Sequence, residues 1–188
     1  DAGALTPVSC ILMLSSVWQQ ADYLVQYHLM HSNWAAMELN GLGAAAVYWP
    51  EFGDAKGWFT HAADKMLEEQ AFEVYPDGVQ NELTSHYHEV AMSNFAQFRD
   101  LAQENGRPLP AAFSRTLEKM YGYIAWTVRP NGYGLLNNDA DLDFNRPLIA
   151  RAAATYGRED WTYIATGGAE GKAPGATSVF FPWAGQMV

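Results

Sequence analysis

Apolar positions recur at three- and four-residue intervals along most of this chain, the period of a helix packed on one side. The first such segment runs from about Val8 to Met30 and sets Ile11, Leu12, Leu14, Val17, Trp18, Tyr23, Leu24 and Tyr27 at helical spacing. An alanine-rich segment, Asn33 to Tyr48, predicts a second helix. Asp54 to Tyr75 predicts a third, with Trp58, Ala62, Met66 and Phe72 near one face. The fourth is expected from Asn81 to Gln103, stopped by Asn105-Gly106 and then by Pro108 and Pro110. Ala111 to Val128 makes a fifth, with Leu117, Met120, Tyr121, Ile124 and Ala125 as its apolar stripe. Arg129 to Asn145 reads as a loop rich in glycine and asparagine, too long for a mere connector. Arg146 to Tyr156 predicts a short helix, and from Gly157 onward the pattern turns irregular. No pair of alternating strands stands before the last ten residues, and no internal repeat or low-complexity linker interrupts the run. The pattern predicts an all-α chain of antiparallel helical hairpins.

Composition narrows the picture. The 188 residues suffice for about one domain with a sizeable core. Hydrophobic residues make up 49% and charged ones 17%, so a disordered chain is excluded. Aromatics at 14% suit either a dense core or a cleft that stacks sugars. A net charge of −10, with a pI near 4.8, argues against nucleic acid and anionic membranes as partners. Nor does any apolar run reach the roughly 18 residues needed to span a bilayer. The lone Cys10, among apolar neighbours, reads as a buried and inert thiol with no disulfide framework around it. Asp1-Ala2-Gly3-Ala4 has no basic segment ahead of an apolar one, so no secretory leader is visible there; a mature or excised segment would read the same. His28, His31 and His61 lack zinc-ligand spacing, so neither a metal nor another cofactor is expected.

Chemistry concentrates between Tyr75 and Glu89, in the run YPDGVQNELTSHYHE. Pro76-Asp77-Gly78 is a turn signal, and a helix starting near Asn81 would carry Glu82, His86, Tyr87 and His88 in its first turns. Neighbouring residues on a helix point about 100° apart. Three polar side chains in succession therefore fit a helix start that lines a polar cleft better than one packed on a core. A structural tyrosine between two surface histidines would look the same. Upstream stands a second polar-aromatic stretch, His31-Ser32-Asn33-Trp34-Ala35-Ala36-Met37-Glu38-Leu39-Asn40-Gly41-Leu42.

Together the two stretches resemble the toroid domain of heparinase II/III-type polysaccharide lyases, which include heparin, heparan sulfate and alginate lyases. In that family an N-W-x-x-M-E-x-N-G-L-like helix is followed by P-E-F, then W, then P-D-G-x-Q-x-E-x-[ST]-x-x-Y-H. The corresponding residues here are Asn33-Trp34, Met37-Glu38, Asn40-Gly41-Leu42, Pro50-Glu51-Phe52, Trp58, Pro76-Asp77-Gly78, Gln80, Glu82, Ser85 and Tyr87-His88. They occur in order across roughly the first half of the chain. The resemblance implies an incomplete α/α toroid over residues 1–178. It also implies that 179–188, where Phe180-Phe181-Pro182-Trp183-Ala184-Gly185 stands, begin a β-sandwich domain that the full-length protein would continue.

The same resemblance implies β-elimination across uronic acid linkages of an acidic polysaccharide. Such a reaction needs a donor on the uronate carboxylate, a base for the C5 proton and an acid for the leaving oxygen. By the resemblance Asn33 neutralises the carboxylate, and Tyr87 protonates the leaving group or serves as both base and acid. His88 accompanies the tyrosine, as a catalytic group or as the partner that orients it. Read as residues alone, Asn33 fits an N-cap equally well, and Tyr87 a core tyrosine. Substrate-facing candidates are Trp34, Glu38, Glu82, His86 and Arg129; Trp34 also fits a buried position, and both glutamates read better as orienting groups than as acids. Arg129 and Arg146 are the nearest cations for a uronate or sulfate, and a fold-stabilising role is open for both. Asp139, Asp141 and Asp143 alternate as in a calcium loop but lack its glycine and its final glutamate. Bacterial relatives of this type imply a periplasmic or secreted location. Two other readings stand beside the lyase. A toroid hydrolase of unsaturated uronyl sugars would need facing carboxylic acids, for which only Asp77 and Asp141 offer themselves, and a glycan-binding arc would need no turnover.

Overall fold

The computed structural model describes residues 6–188, so the opening Asp1-Ala2-Gly3-Ala4 lies outside the described residues. Helix α1, Pro7–Tyr27, starts where Thr6 accepts a hydrogen bond from the Ser9 backbone N–H at 3.1 Å, with proline in the first turn. It ends three residues short of the expected Met30. Helix α2 is Asn33–Tyr48, α3 Ala55–Glu73, α4 Ser85–Glu104, α5 Ala111–Thr127 and α6 Arg146–Tyr156. A further helix, α7 (Glu159–Ala165), lies where the sequence pattern turns irregular; it is held by Trp161, which is buried. Strands β1 (Phe180–Phe181) and β2 (Gln186–Met187) form a small antiparallel hairpin. The class is all-α, as the hydrophobic period predicts.

The fourth helix starts at Ser85, not near Asn81. Val74 and Gln80 form an isolated antiparallel bridge around the Pro76-Asp77-Gly78 turn, which occupies the backbone that a longer helix would need. Leu83 then takes a left-handed φ of 58°, a conformation no helix interior admits. Glu82 accordingly precedes α4.

Leu39, Leu42, Met66, Met92, Phe95, Phe98, Phe113, Leu117, Met120 and Ile124 fill the core contributed by α2 to α5. The stripe expected on α1 joins it only near its C-terminal end, where Leu24 packs half-buried against the core. Only Ala21 of that helix is buried; Ile11, Leu12, Tyr23 and Tyr27 are exposed, and Trp18, also exposed, donates its Nε1–H to Asp54 at 2.9 Å. Cys10 is half-exposed, not the buried thiol its neighbours suggest. Phe72 likewise turns outward and stacks on the His31 ring, the centroids 4.0 Å apart.

Helices α2 and α4 run parallel. Asn40 Nδ2 donates to the Asn94 carbonyl and to Asn94 Oδ1, each at 2.9 Å. Further along both helices, Gly43 faces Phe98 and Leu101. The register therefore advances in the same sense on both. Helix α3 returns the chain between them.

Candidate active site

That register brings the two sequence motifs to one end of the molecule. Asn33 lies seven residues before Asn40, and Tyr87 seven before Asn94. Seven residues make almost two helical turns, about 10 Å of rise with about 20° of rotation. Asn33 and Tyr87 thus sit at the same level as each other, on the faces that α2 and α4 turn toward one another. Ser32 occupies the N-cap position, so Asn33 is the first residue of α2 and not its cap. Its residue surface is only 7% exposed, and its amide has no hydrogen-bond partner among the described residues. The Tyr87 hydroxyl, on a half-buried ring packed edge-on against His86, is also without a protein partner there.

His88 faces inward. It is 1% exposed; its Nδ1 accepts from the Gln80 backbone N–H at 3.2 Å, and its Nε2–H donates to the Met120 carbonyl at 3.0 Å. Both ring nitrogens are committed, so the expectation of a catalytic His88 in contact with substrate does not fit its position. Burial pulls its pKa down to about 4, which keeps the ring neutral. What it does is tie the turn before α4 to α5, and through that turn it fixes where Tyr87 begins.

The other candidates divide by position. Trp34 is 65% exposed, which removes the buried alternative for that ring. Glu38 Oε2 accepts from the Leu29 backbone N–H at 2.7 Å, shaping the segment that leads into α2. Glu82 is exposed and accepts from Gln80 Nε2 at 3.1 Å. His86 Nδ1 lies 3.4 Å from Asp141 and 3.7 Å from Asp143. Arg129 stands just past the end of α5, with its Nε sealed from solvent and unpartnered. Asp77 accepts from the Trp183 and Ala184 backbone N–H groups at 2.8 and 3.1 Å, so the acid drafted for a hydrolase serves a turn instead. Among the described residues no group of three or more His, Cys, Asp or Glu is arranged to hold a metal ion.

The long loop is latched onto the start of α4. Ser85 Oγ donates to the Leu135 carbonyl at 2.6 Å, and Asn137 Nδ2 donates to the Leu83 carbonyl at 2.6 Å. Asn138 Nδ2 reaches the same carbonyl at 3.2 Å, so Leu83 is held in its left-handed state by two amides. Asn145 Nδ2 donates to Glu89 Oε1 at 2.6 Å. Burial nevertheless raises the Glu89 pKa to about 7, with Asp143 nearby adding to the shift.

Two further acids escape sequence reasoning. Glu69 and Glu73 of α3 are fully buried, and Glu69 Oε2 accepts from the backbone N–H of His31, which takes a φ of 62° two residues before Asn33. Burial raises Glu73 to about 8, and Glu69 beside it pushes in the same direction. The signal was present in the pattern: Trp58, Ala62, Met66, Glu69 and Glu73 continue one helical stripe, so an acid stands where an apolar residue is due.

Residues 1–155 match the family described as Heparinase II/III N-terminus, and the chain belongs to that family. Its arrangement is accordingly an incomplete α/α toroid of helical hairpins, ending in a small β hairpin. It is 29% identical over 180 residues to a heparin-sulfate lyase of Pedobacter heparinus, covering 93% of this chain and 27% of that protein. A heparin-sulfate lyase of Bacteroides stercoris is 26% identical over 177 residues, covering 91% of this chain and 27% of the relative. Among solved structures, a heparinase III gene product matches with a TM-score of 0.77 at 27% identity, over 94% of this chain and 28% of that one. The heparan sulfate lyase HepC from Pedobacter heparinus matches with a TM-score of 0.73 at 28% identity, over 94% and 29%. The chain thus spans about a quarter of the length of these relatives.

Proposed function

We propose that this chain supplies the neutralising and proton-donating half of a polysaccharide lyase site, acting by β-elimination on a uronic-acid glycan of the heparan sulfate type. The observation that carries the reading is the pair Asn33 and Tyr87: two polar groups without protein partners, level with each other on facing sides of parallel helices. The Asn33 amide donates to the uronate carboxylate, which lowers the cost of drawing the C5 proton off a carbon beside a negative charge. Tyr87 hands its proton to the C4 oxygen as the glycosidic bond breaks and the C4–C5 double bond forms. Where Tyr87 is also the base, it starts as the phenolate, takes the C5 proton and delivers that same proton to the C4 oxygen; otherwise a base from elsewhere in the full chain takes the C5 proton and Tyr87 gives its own. His88 is a positioning residue for Tyr87, through the Gln80 and Met120 bonds. Trp34 offers an exposed ring for a sugar face, with His86, Glu82, Glu38 and Arg129 around the approach.

A polymer does not cross a cytoplasmic membrane intact, so the reading carries a periplasmic or secreted location. The hairpin of β1 and β2 would open the β-sandwich domain.

Tyr87→Phe in the full-length chain tests this. The swap keeps the ring and removes one hydroxyl, so turnover falls by about 10²–10⁴-fold. The readout is ultraviolet absorbance of the unsaturated product, while oligosaccharide affinity and the melting temperature stay near the parent's. Near-normal turnover in a folded variant would sink the mechanism. A panel of heparan sulfate, hyaluronan and alginate fixes the substrate class.

A further inference from the structure

Beside the latched loop lies an open, mostly apolar cavity of about 370 Å³, within the range of small-ligand pockets. Two guanidinium groups line it, those of Arg129 and Arg146, with the rings of Trp126 and Tyr163 and the Gly167-Gly168 turn as its walls. The side chain of Arg146 is held in place. Its Nη2 donates to the Pro130 carbonyl at 2.7 Å, and it runs between Gly132 and Gly167, where an added Cβ would come within 2.9 Å and 3.1 Å of its nitrogens.

Neither arginine has a carboxylate within ion-pairing distance among the described residues. Elsewhere the chain treats its partly buried arginines otherwise: Arg99 pairs with Asp100 at 2.7 Å, and Arg158 with Asp160 and Glu118 at 2.7 and 3.2 Å. Two like charges brought into one cavity repel, and the cost is greater where solvent is partly excluded. In a chain of net charge −10, two half-buried arginines side by side without an internal counter-charge leave positive potential free for a ligand.

We propose that this cavity binds an anionic group, a sulfate or a carboxylate, of an acidic sugar. Arg129 and Arg146 supply paired donors in the fork geometry that suits both anions. Trp126 and Tyr163 supply apolar ring faces for the pyranose. The cavity's loop is the one that clasps α4: Asn145, next to Arg146, bonds Glu89, which is two residues beyond Tyr87. The anion is therefore carried by a sugar neighbouring the one cleaved, a step that rests on the lyase reading, whereas anion binding itself does not.

The test uses the full-length chain in a Tyr87→Phe background, titrated with a sulfated heparan tetrasaccharide and with the same tetrasaccharide after chemical desulfation. Arg129→Gln and Arg146→Gln each weaken the sulfated ligand about tenfold, one charge-assisted contact's worth. If sulfate is the bound group, the loss vanishes with the desulfated ligand; if carboxylate is, the loss persists. Changes below about twofold in both folded variants overturn the proposal. Should either substitution unfold the chain, phenylglyoxal labelling of the unsubstituted protein decides. Oligosaccharide should protect Arg129 and Arg146 from modification, and equal labelling with and without it overturns the site. Absence of unsaturated product from the parent chain, with the arginine effects intact, would remove the lyase reading and leave the pocket standing.

Discussion

At neutral pH the carboxyl of Glu73 carries a proton, because burial raises its pKa to about 8 and Glu69 alongside adds to the shift. The unfolded chain releases that proton near the ordinary glutamate value of about 4.3. A folded pKa above the unfolded one means that the stabilising contribution is complete below about pH 4 and is lost as pH rises through 8. Glu73→Gln removes the titration and places an uncharged amide, with donor hydrogens, beside Glu69, whose Oε1 has no partner. The variant should gain on the parent progressively between pH 5 and 8, by about 1 kcal/mol or more at the upper end. Urea melts at several pH values measure the gain; a constant offset, or a growing loss, would count against the protonated pair. The acids were hidden from the sequence pattern by their residue type, since a helical stripe is searched with apolar residues. Asn33 and Tyr87 were legible through their motifs. The inward orientation of His88 was not, for its two partners, Gln80 N–H and the Met120 carbonyl, are backbone groups that a side-chain pattern does not display.

Among the elements, α2 meets α4 at Gly43, which lies directly against Phe98. A Cβ built there would stand 2.6 Å from Phe98 Cε2, and Phe98 is fully buried, so its ring has nowhere to swing. Gly43→Ala should therefore destabilise the chain by about 1–3 kcal/mol, as overpacked cores do. The matched control is Gly57→Ala in α3, where the added methyl meets open space and the helix gains up to about 1 kcal/mol. Chemical denaturation of the two variants separates close approach from helix propensity, and equal effects would refute the register. Helix bounds were legible where local signals suffice, as for α2, α5 and α6. They failed where distant groups decide: the first turn expected at Asn81 is displaced by the Val74–Gln80 bridge and by amides from Asn137 and Asn138 on Leu83. Seven-residue α7 is too short for a periodic pattern and owes its place to the burial of Trp161.

At the scale of the molecule, α1 lays an apolar face outward, with Ile11 64% and Leu12 66% exposed. Contiguous apolar surface of this kind drives association. The 188-residue chain alone should self-associate with rising concentration, and Ile11→Lys with Leu12→Lys should return it toward monomer without lowering the melting temperature. Sedimentation of parent and variant checks this, and a monomeric parent at high concentration would refute it. The parallel register of α2 and α4 has an electrical side as well. Both helices begin at the end that carries Asn33 and Tyr87, and α6 begins beside them, its preceding residue Asn145 bonded to Glu89. Each helix start bears roughly half a positive charge from its aligned peptide dipoles. Three such starts on one rim set partial positive charge, made of backbone and insensitive to pH, beside the carboxylates of Glu82, Asp141 and Asp143, so that the rim alternates in sign where an acidic surface would otherwise be uniformly negative.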